Sequence, residues 1–281
     1  MYIRCWGSRG SIPVSGPEYV KYGGDTTCME VRTGSGDIIV VDAGSGIRRL
    51  GEKLSAEKVS RIHLVFTHAH LDHISGLPFF VPLYMKGVDI TVYGCPFEYD
   101  SYRDIMHGIM RNPYCPVDIE DREKVESELS YVTVEHEPFT IGSLTLTPIT
   151  LSHPDGGLGY RFEEGGKSFV FLTDNELEYV HPGGLQPQEY ADFSRDADLL
   201  IHDAEYTQKD YNASWGHSIF TSAVKLGLDA GAKRLGMFHL NQKRSDDQVD
   251  AMVGEGRKLI EKKKSNMECF AVGSGFEMKL T

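Results

Sequence analysis

The chain has 281 residues, 40% of them hydrophobic and 25% charged, which is enough apolar material for a sizeable core and excludes a disordered or fibrous class. With 29 basic against 41 acidic residues the net charge is −12. No lysine or arginine run offers a track for nucleic acid, so a large polyanion is repelled while a small anion can still enter a locally positive cleft. No stretch reaches the roughly 18 unbroken apolar residues of a membrane span, the five cysteines form no CxxC pair, and the opening residues lack the zones of a signal peptide; one cytoplasmic domain over residues 1–281 with reduced thiols is expected.

A strand is predicted over residues 2–5, followed by the glycine-rich loop Gly7-Ser8-Arg9-Gly10-Ser11. Strands over 28–33 and 38–41 flank Gly34-Ser35-Gly36-Asp37 and read as a hairpin. Asp42 closes the second of them, where it is placed to orient a neighbouring loop, and a helix is predicted near 47–54. The apolar run Leu64-Val65-Phe66-Thr67 then leads into His68-Ala69-His70-Leu71-Asp72-His73. Three of the chain's 11 histidines within six residues are far beyond scatter. On a loop leaving a strand, His68 and His70 point to one side and can chelate one ion, while Asp72 and His73 turn toward a second position. Residues 96–129 are helical in tone and carry Tyr99, Tyr102, Met106, Met110 and Tyr114; such a stripe serves a lid, a dimer surface or core packing equally well.

The second half repeats this grammar, with strands over 144–150, 159–162, 168–172 and 199–201, a helix over 219–230, and a strand ending at Phe238. His153 follows the first of these strands, Asp174 the third and His239 the last. Gly165-Gly166-Lys167-Ser168 mimics the end of a phosphate-binding loop, but Arg161 stands where the earlier glycine is required, so a hairpin turn is expected. Lys262-Lys263-Lys264 reads as the tail of a helix, complementing its dipole. His63, His107, His136 and His181 are assigned structural roles. Two β-rich halves with helices outside predict an α/β four-layer αβ/βα sandwich with the candidate ligands at strand ends.

The hexapeptide followed by separated His153, Asp174 and His239 resembles the metallo-β-lactamase superfamily over nearly the whole chain. The resemblance implies that His68, His70 and His153 bind one metal, that Asp72, His73 and His239 bind another, and that Asp174 bridges both. Further on, His202-Asp203-Ala204-Glu205, Trp215-Gly216-His217-Ser218, Ala232-Lys233-Arg234-Leu235 and Phe238-His239 are similar to the phosphodiesterase branch, which includes ribonuclease Z and cyclic phosphodiesterases. There the histidine of the Gly-His-Ser segment is a general acid and not a ligand. His217 is therefore the implied acid, the alternative being a histidine that caps the helix beginning near Ser218. His202 and Glu205 match the ribonuclease Z run only in part, leaving open a supporting role beside His217 or a ligand. Gly7-Ser8-Arg9-Gly10-Ser11-Ile12-Pro13 and Tyr22-Gly23-Gly24-Asp25-Thr26-Thr27-Cys28 also look like bacterial cyclic-nucleotide phosphodiesterases.

Ribonuclease Z inserts a long basic arm before its bridging aspartate, whereas here a short hairpin joins residues 159–162 to Asp174. The expectation is a binuclear metal-dependent phosphodiesterase acting on a small diester such as a cyclic nucleotide, with Asp72 and His217 catalytic. Two divalent ions are implied, zinc by default because every donor is nitrogen or oxygen, with manganese and iron also compatible. Long nucleic acid and membranes are not expected partners, and a homodimer stays open. Two rival readings share the fold. A di-iron oxygen- or nitric-oxide-binding sensor resembles His-x-Glu-x-Asp, with His70 standing where the glutamate would be, and a lactamase or thioesterase has no need of the Gly-His-Ser segment.

Overall fold

A computed structural model describes residues 1–95 and 101–281. One sheet is built from β1 (Tyr2–Gly7), β2 (Cys28–Arg32), β3 (Ile38–Val41), β4 (Arg61–Val65), β5 (Asp89–Gly94) and β6 (Glu128–Thr133). Between them lie α1 (Ile47–Ala56), α2 (Leu71–Ile74) and α3 (Tyr102–Ile109). The other sheet is built from β7 (Phe139–Ile141), β8 (Leu144–Thr150), β9 (Leu158–Glu164), β10 (Lys167–Leu172), β11 (Leu199–Asp203), β12 (Arg234–Phe238) and β13 (Glu268–Ala271), with α4 (Pro187–Phe193), α5 (Phe220–Asp229) and α6 (Asp246–Lys262). β14 (Glu277–Lys279) returns to the first sheet and pairs with β1. The strand orders are β14-β1-β2-β3-β4-β5-β6 and β13-β12-β11-β10-β9-β8-β7.

The period-two alternation of each strand divides its side chains between two cores. In β3, Ile39 and Val41 join the core between the sheets, while Ile38 and Val40 join the core under α1 and α3. In β10, Phe169 and Phe171 face the partner sheet, while Val170 and Leu172 face α4, α5 and α6. Strands apolar on both faces are what a sheet covered on both sides requires. The result is the expected four-layer α/β sandwich. β3 to β6 run parallel, as do β10 to β13, and parallel strands deliver their following loops to one end of the sheet, where α/β proteins place their sites.

Several elements lie outside the sequence expectation. β6 is a largely exposed edge strand, and β7 and β14 have three residues each, so none carries an apolar pattern long enough to read. Among the described residues of 96–129 the helical tone yields α3, capped by Ser101 Oγ, which accepts from the Asp104 N–H. Tyr102, Met106 and Met110 are buried in the core beside α1, and Tyr114 is exposed; Tyr99 and the start of that segment lie outside the described residues. Gly165 and Gly166, at φ 58° and 74°, form the turn between antiparallel β9 and β10, so the phosphate-loop mimic is a hairpin. Among the described residues no helix is long and apolar enough to cross a membrane.

Phe171 anchors the inter-sheet core, its ring edge-on to Phe238 at 5.2 Å. Phe171→Ala is expected to lower unfolding stability by about 3–5 kcal/mol, read as a lower urea midpoint at unchanged slope.

Candidate metal centre

The loops that leave β4, β8, β10 and β12 converge at one end of the sheets. His68, Asp72, His73, His153, Asp174, His217 and His239 are buried there, and His70 is half-buried. The side chains fall into overlapping sets: His68, His70 and His153; Asp72, His73, Asp174 and His239; His217 with His153 and Asp174; and His217 with Asp203 and His239. Asp174 lies between the first two sets. Its Oδ1 is 3.2 Å from His73 Nε2, and its Oδ2 is 3.1 Å from His239 Nε2, 3.8 Å from His68 Nε2 and 4.0 Å from His153 Nε2. Asp72 Oδ2 accepts the Ser11 N–H at 2.8 Å and sits 3.1 Å from His239 Nε2.

Hydrogen bonds on the far side of each ring decide which nitrogen faces the centre. His73 Nδ1 donates to Asp42 Oδ2 at 2.8 Å. His68 Nδ1 donates to Thr67 Oγ1 at 3.0 Å, and that hydroxyl donates to the same Asp42 Oδ2 at 2.8 Å. One carboxylate thus sets two rings, directly and through a hydroxyl. His153 Nδ1 donates to the Gly216 carbonyl at 3.0 Å and His239 Nδ1 to Glu205 Oε2 at 2.9 Å. In all four rings Nε2 is the atom left facing inward.

Nε2 of His68 and of His73 are buried without a hydrogen-bond partner among the described residues, and His153 Nε2 faces His70 Nδ1 at 3.1 Å. Inward-facing imidazole nitrogens interleaved with buried carboxylates suit a divalent cation, which is the compensation that buried polar groups otherwise lack. Burial pushes His68 well down and His153 down to about 3, so both stay in the neutral form that ligates metal. Burial also opposes the charged form of His73 and His239, but Asp174 above all outweighs it and raises both. Asp174 itself is buried, yet His239 and His73 hold its carboxyl well below the usual range. The negative potential that protonates these rings would equally draw a cation.

His217 stacks on His239, with ring centroids 4.4 Å apart. Its Nδ1 donates to Asp203 Oδ2 at 2.8 Å, and its Nε2 is 3.5 Å from Glu205 Oε2. Burial disfavours the imidazolium, but Asp203 and then Glu205 overcome this and raise it. His217 does not cap α5, whose N-cap position is Ile219, without a side-chain cap. His202, a candidate support from sequence, turns away: its Nδ1 donates to the Asp203 carbonyl and its Nε2 meets Asn175. Glu205 is the support of His239. Asp203 was missed as the partner of His217, although it closes β11 one residue beyond the apolar run Leu199-Leu200-Ile201, much as Asp42 directly follows β3. The Ser11 N–H and the Gly216 carbonyl leave no sequence signal, because any residue could supply them.

The N-terminal loop closes over the centre at van der Waals distance. A Cβ on Gly10 would lie 2.3 Å from the His239 ring, so only glycine permits this approach.

A family model described as "Beta-lactamase superfamily domain" matches residues 38–240. Ribonuclease Z of Thermococcus kodakarensis is 26% identical over 250 residues, which cover 73% of this chain and 75% of that protein. The probable metallo-hydrolase YhfI of Bacillus subtilis is 25% identical over 241 residues, 78% of this chain and 84% of that one. Its crystal structure superimposes with a TM-score of 0.73 at 20% identity, covering 99% of this chain and 98% of that one. A diphosphatase of the PhnP family superimposes at 0.69 with 17% identity, covering 100% and 98%.

Asp42→Ala removes the acceptor that orients both His68 and His73. Zinc affinity in a chelator competition is expected to fall about 10–100-fold, and unchanged affinity would show that neither ring depends on it.

Proposed function

Because this chain belongs to the β-lactamase superfamily, we propose that it is a binuclear metal-dependent phosphodiesterase whose substrate is a small diester such as a cyclic nucleotide. The similarity to ribonuclease Z, to YhfI and to a PhnP-family diphosphatase supports metal-dependent hydrolysis. His68, His70 and His153 would hold one ion, Asp72, His73 and His239 the other, and Asp174 both. Zinc is the metal that this oxygen and nitrogen donor set favours. Bound divalent ions supply Lewis-acid chemistry, polarising a phosphoryl oxygen and acidifying water.

The chain's own residues provide orientation and a proton. Asp72, fixed by the Ser11 N–H, accepts a hydrogen bond from the attacking water, which has released one proton to solvent and attacks as hydroxide. As the water oxygen bonds to phosphorus, the bond from phosphorus to the leaving oxygen breaks, and that oxygen takes the proton of His217 Nε2. Asp203 holds Nδ1 and stabilises the imidazolium before transfer. No covalent intermediate is needed. One observation carries the assignment: the His217 atom that comes nearest Asp174, Nδ1 at 3.9 Å, is already committed to Asp203 at 2.8 Å. A ring so anchored stands beside the two ligand sets, with Nε2, 3.5 Å from Glu205 Oε2, as the nitrogen whose proton can be passed on.

Two features favour a small diester over precursor tRNA. The net charge is −12, and β9 joins β10 through a two-glycine turn instead of a basic arm.

The zinc-loaded protein is expected to turn over at least one member of a panel of 2′,3′- and 3′,5′-cyclic mononucleotides and cyclic dinucleotides. Efficient cleavage of precursor tRNA at physiological ionic strength, with the panel untouched, would overturn the choice of substrate.

For His217→Ala the loss should follow the leaving group. A diester that expels a nucleoside alkoxide should slow by about 10²–10⁴-fold, and bis(4-nitrophenyl) phosphate far less, because nitrophenolate leaves without a proton. Metal content should match wild type. Equal losses on both substrates, or a missing ion, would reassign His217 to positioning or ligation.

A further inference from the structure

Glu176 is a carboxylate with 1% exposure on the segment that follows Asp174, and it is given over almost entirely to one loop. Its Oε1 accepts from the Ser214 N–H at 2.9 Å and from the Tyr211 hydroxyl at 2.5 Å, and its Oε2 accepts from the Gly216 N–H at 2.7 Å and from His181 Nε2 at 2.8 Å. The backbone is therefore gripped immediately before and immediately after Trp215, one N–H on each oxygen of the same buried group. Ser214 and Gly216 both have positive φ, at 67° and 87°, and Ser214 is strained there as glycine is not. A buried carboxylate and a strained residue are a large expense for a surface turn.

What this clamp presents is an indole with 63% exposure, in a chain whose other tryptophan, Trp6, is buried with Nε1 donating to Glu30. Trp215 directly precedes Gly216, whose carbonyl orients His153, and His217, so the clamped turn is continuous with the centre. Two other segments that belong to the centre also expose apolar side chains. Ile12, beside the Ser11 N–H that holds Asp72, is 57% exposed, and Leu71, between His70 and Asp72, is 70% exposed. Exposed apolar groups gathered around a polar site mark a surface awaiting a ligand.

We propose that Trp215 is a specificity-determining stacking platform for the nucleobase of a nucleoside phosphodiester, on a backbone that Glu176 holds in place. The proposal rests on the phosphodiesterase reading and narrows its substrate class to diesters that carry a planar base. With the backbone held on both sides of it, Trp215 has only its own side-chain rotations to give up on stacking, which keeps the entropic cost low, and any base offers it a π-face. Ile12 and Leu71 give the base an apolar surround, while the phosphate is taken by the buried centre.

The test compares thymidine 5′-(4-nitrophenyl) phosphate with methyl 4-nitrophenyl phosphate on zinc-loaded protein. Both expel nitrophenolate, so they differ only in the nucleoside. Wild type is expected to prefer the nucleoside ester in kcat/KM, Trp215→Ala to lower that preference about tenfold, and Trp215→Phe to retain most of it. Misfolded protein lowers both rates alike and cancels in the ratio. An unchanged preference in Trp215→Ala overturns the platform and leaves the phosphodiesterase reading intact. Tryptophan emission gives a second readout that needs no turnover. Thymidine 5′-monophosphate should quench wild type and leave Trp215→Phe, which emits from Trp6 alone, unaltered; methyl phosphate should quench neither. Absence of quenching, or equal quenching by methyl phosphate, also overturns the platform. If wild type hydrolyses neither ester, the phosphodiesterase reading falls and the emission titration alone decides whether Trp215 stacks a base.

Discussion

A buried carboxylate facing inward imidazole nitrogens is the constraint on which the molecule is organised. Asp174 is 1% exposed, and no close-packed apolar interior would keep an anion there without compensation. The compensation comes from His73 and His239 on one oxygen each, and from His68 and His153 further out. Four loops have to reach this point, and the two sheets meet so that they do. The charge balance also explains why the rings differ. His68 and His153, farther from the carboxylates, are kept neutral by burial, whereas His73 and His239 lie against them and are drawn toward the cation.

Backbone strain sits where the loops leave their strands. Asp42, Asp174 and His239 all adopt left-handed φ, at 62°, 53° and 54°, and each follows a buried strand. A residue in that region turns the chain abruptly, so its side chain can aim into the centre instead of continuing along the pleat. Surrounding hydrogen bonds hold the turns. The Asp42 carboxylate accepts from the Thr67 N–H at 2.8 Å, and Thr173 Oγ1 donates to Asp174 Oδ1 at 2.5 Å. These contacts belong to the same networks that orient the imidazoles, so local strain and ring orientation are maintained by one set of bonds.

The centre's outer support comes in matched pairs. Asp42 and Asp203 end neighbouring-type parallel strands in opposite sheets, β3 and β11, and each anchors an imidazole by its Nδ1: His73 in one sheet's loop, His217 in the other's. Asp203 also accepts the Ser218 N–H at 2.8 Å, which fixes the segment after His217, as Glu176 fixes the segment before it. His217 is thus held through Nδ1 and through the backbone on both sides of it, and its Nε2 lies 3.5 Å from Glu205 Oε2. The proposed role of His217 as proton donor calls for such anchoring, since a mobile ring would spend binding energy on being placed.

The sequence by itself determined the local part of this site. His68, His70, Asp72 and His73 were legible because their spacing is covalent, and His153, Asp174 and His239 because each follows an apolar run that ends as a strand. Strands β3 and β8 were legible to the residue, β3 as an unbroken apolar run between Asp37 and Asp42 and β8 by its alternation; the exposed edge β6 was not, because it buries too little to impose a period. Only the tertiary structure decided the partners. His202 and Asp203 are adjacent in β11, and alternation sends them to opposite faces of the sheet, so the histidine meets Asn175 and the aspartate meets His217. The Ser11 N–H on Asp72, the Gly216 carbonyl on His153 and the grip of Glu176 around Trp215 are backbone contacts across long chain separations. Backbone groups are common to every residue, so their pairing is set by how the sheets and loops meet in space and by nothing written at the positions themselves.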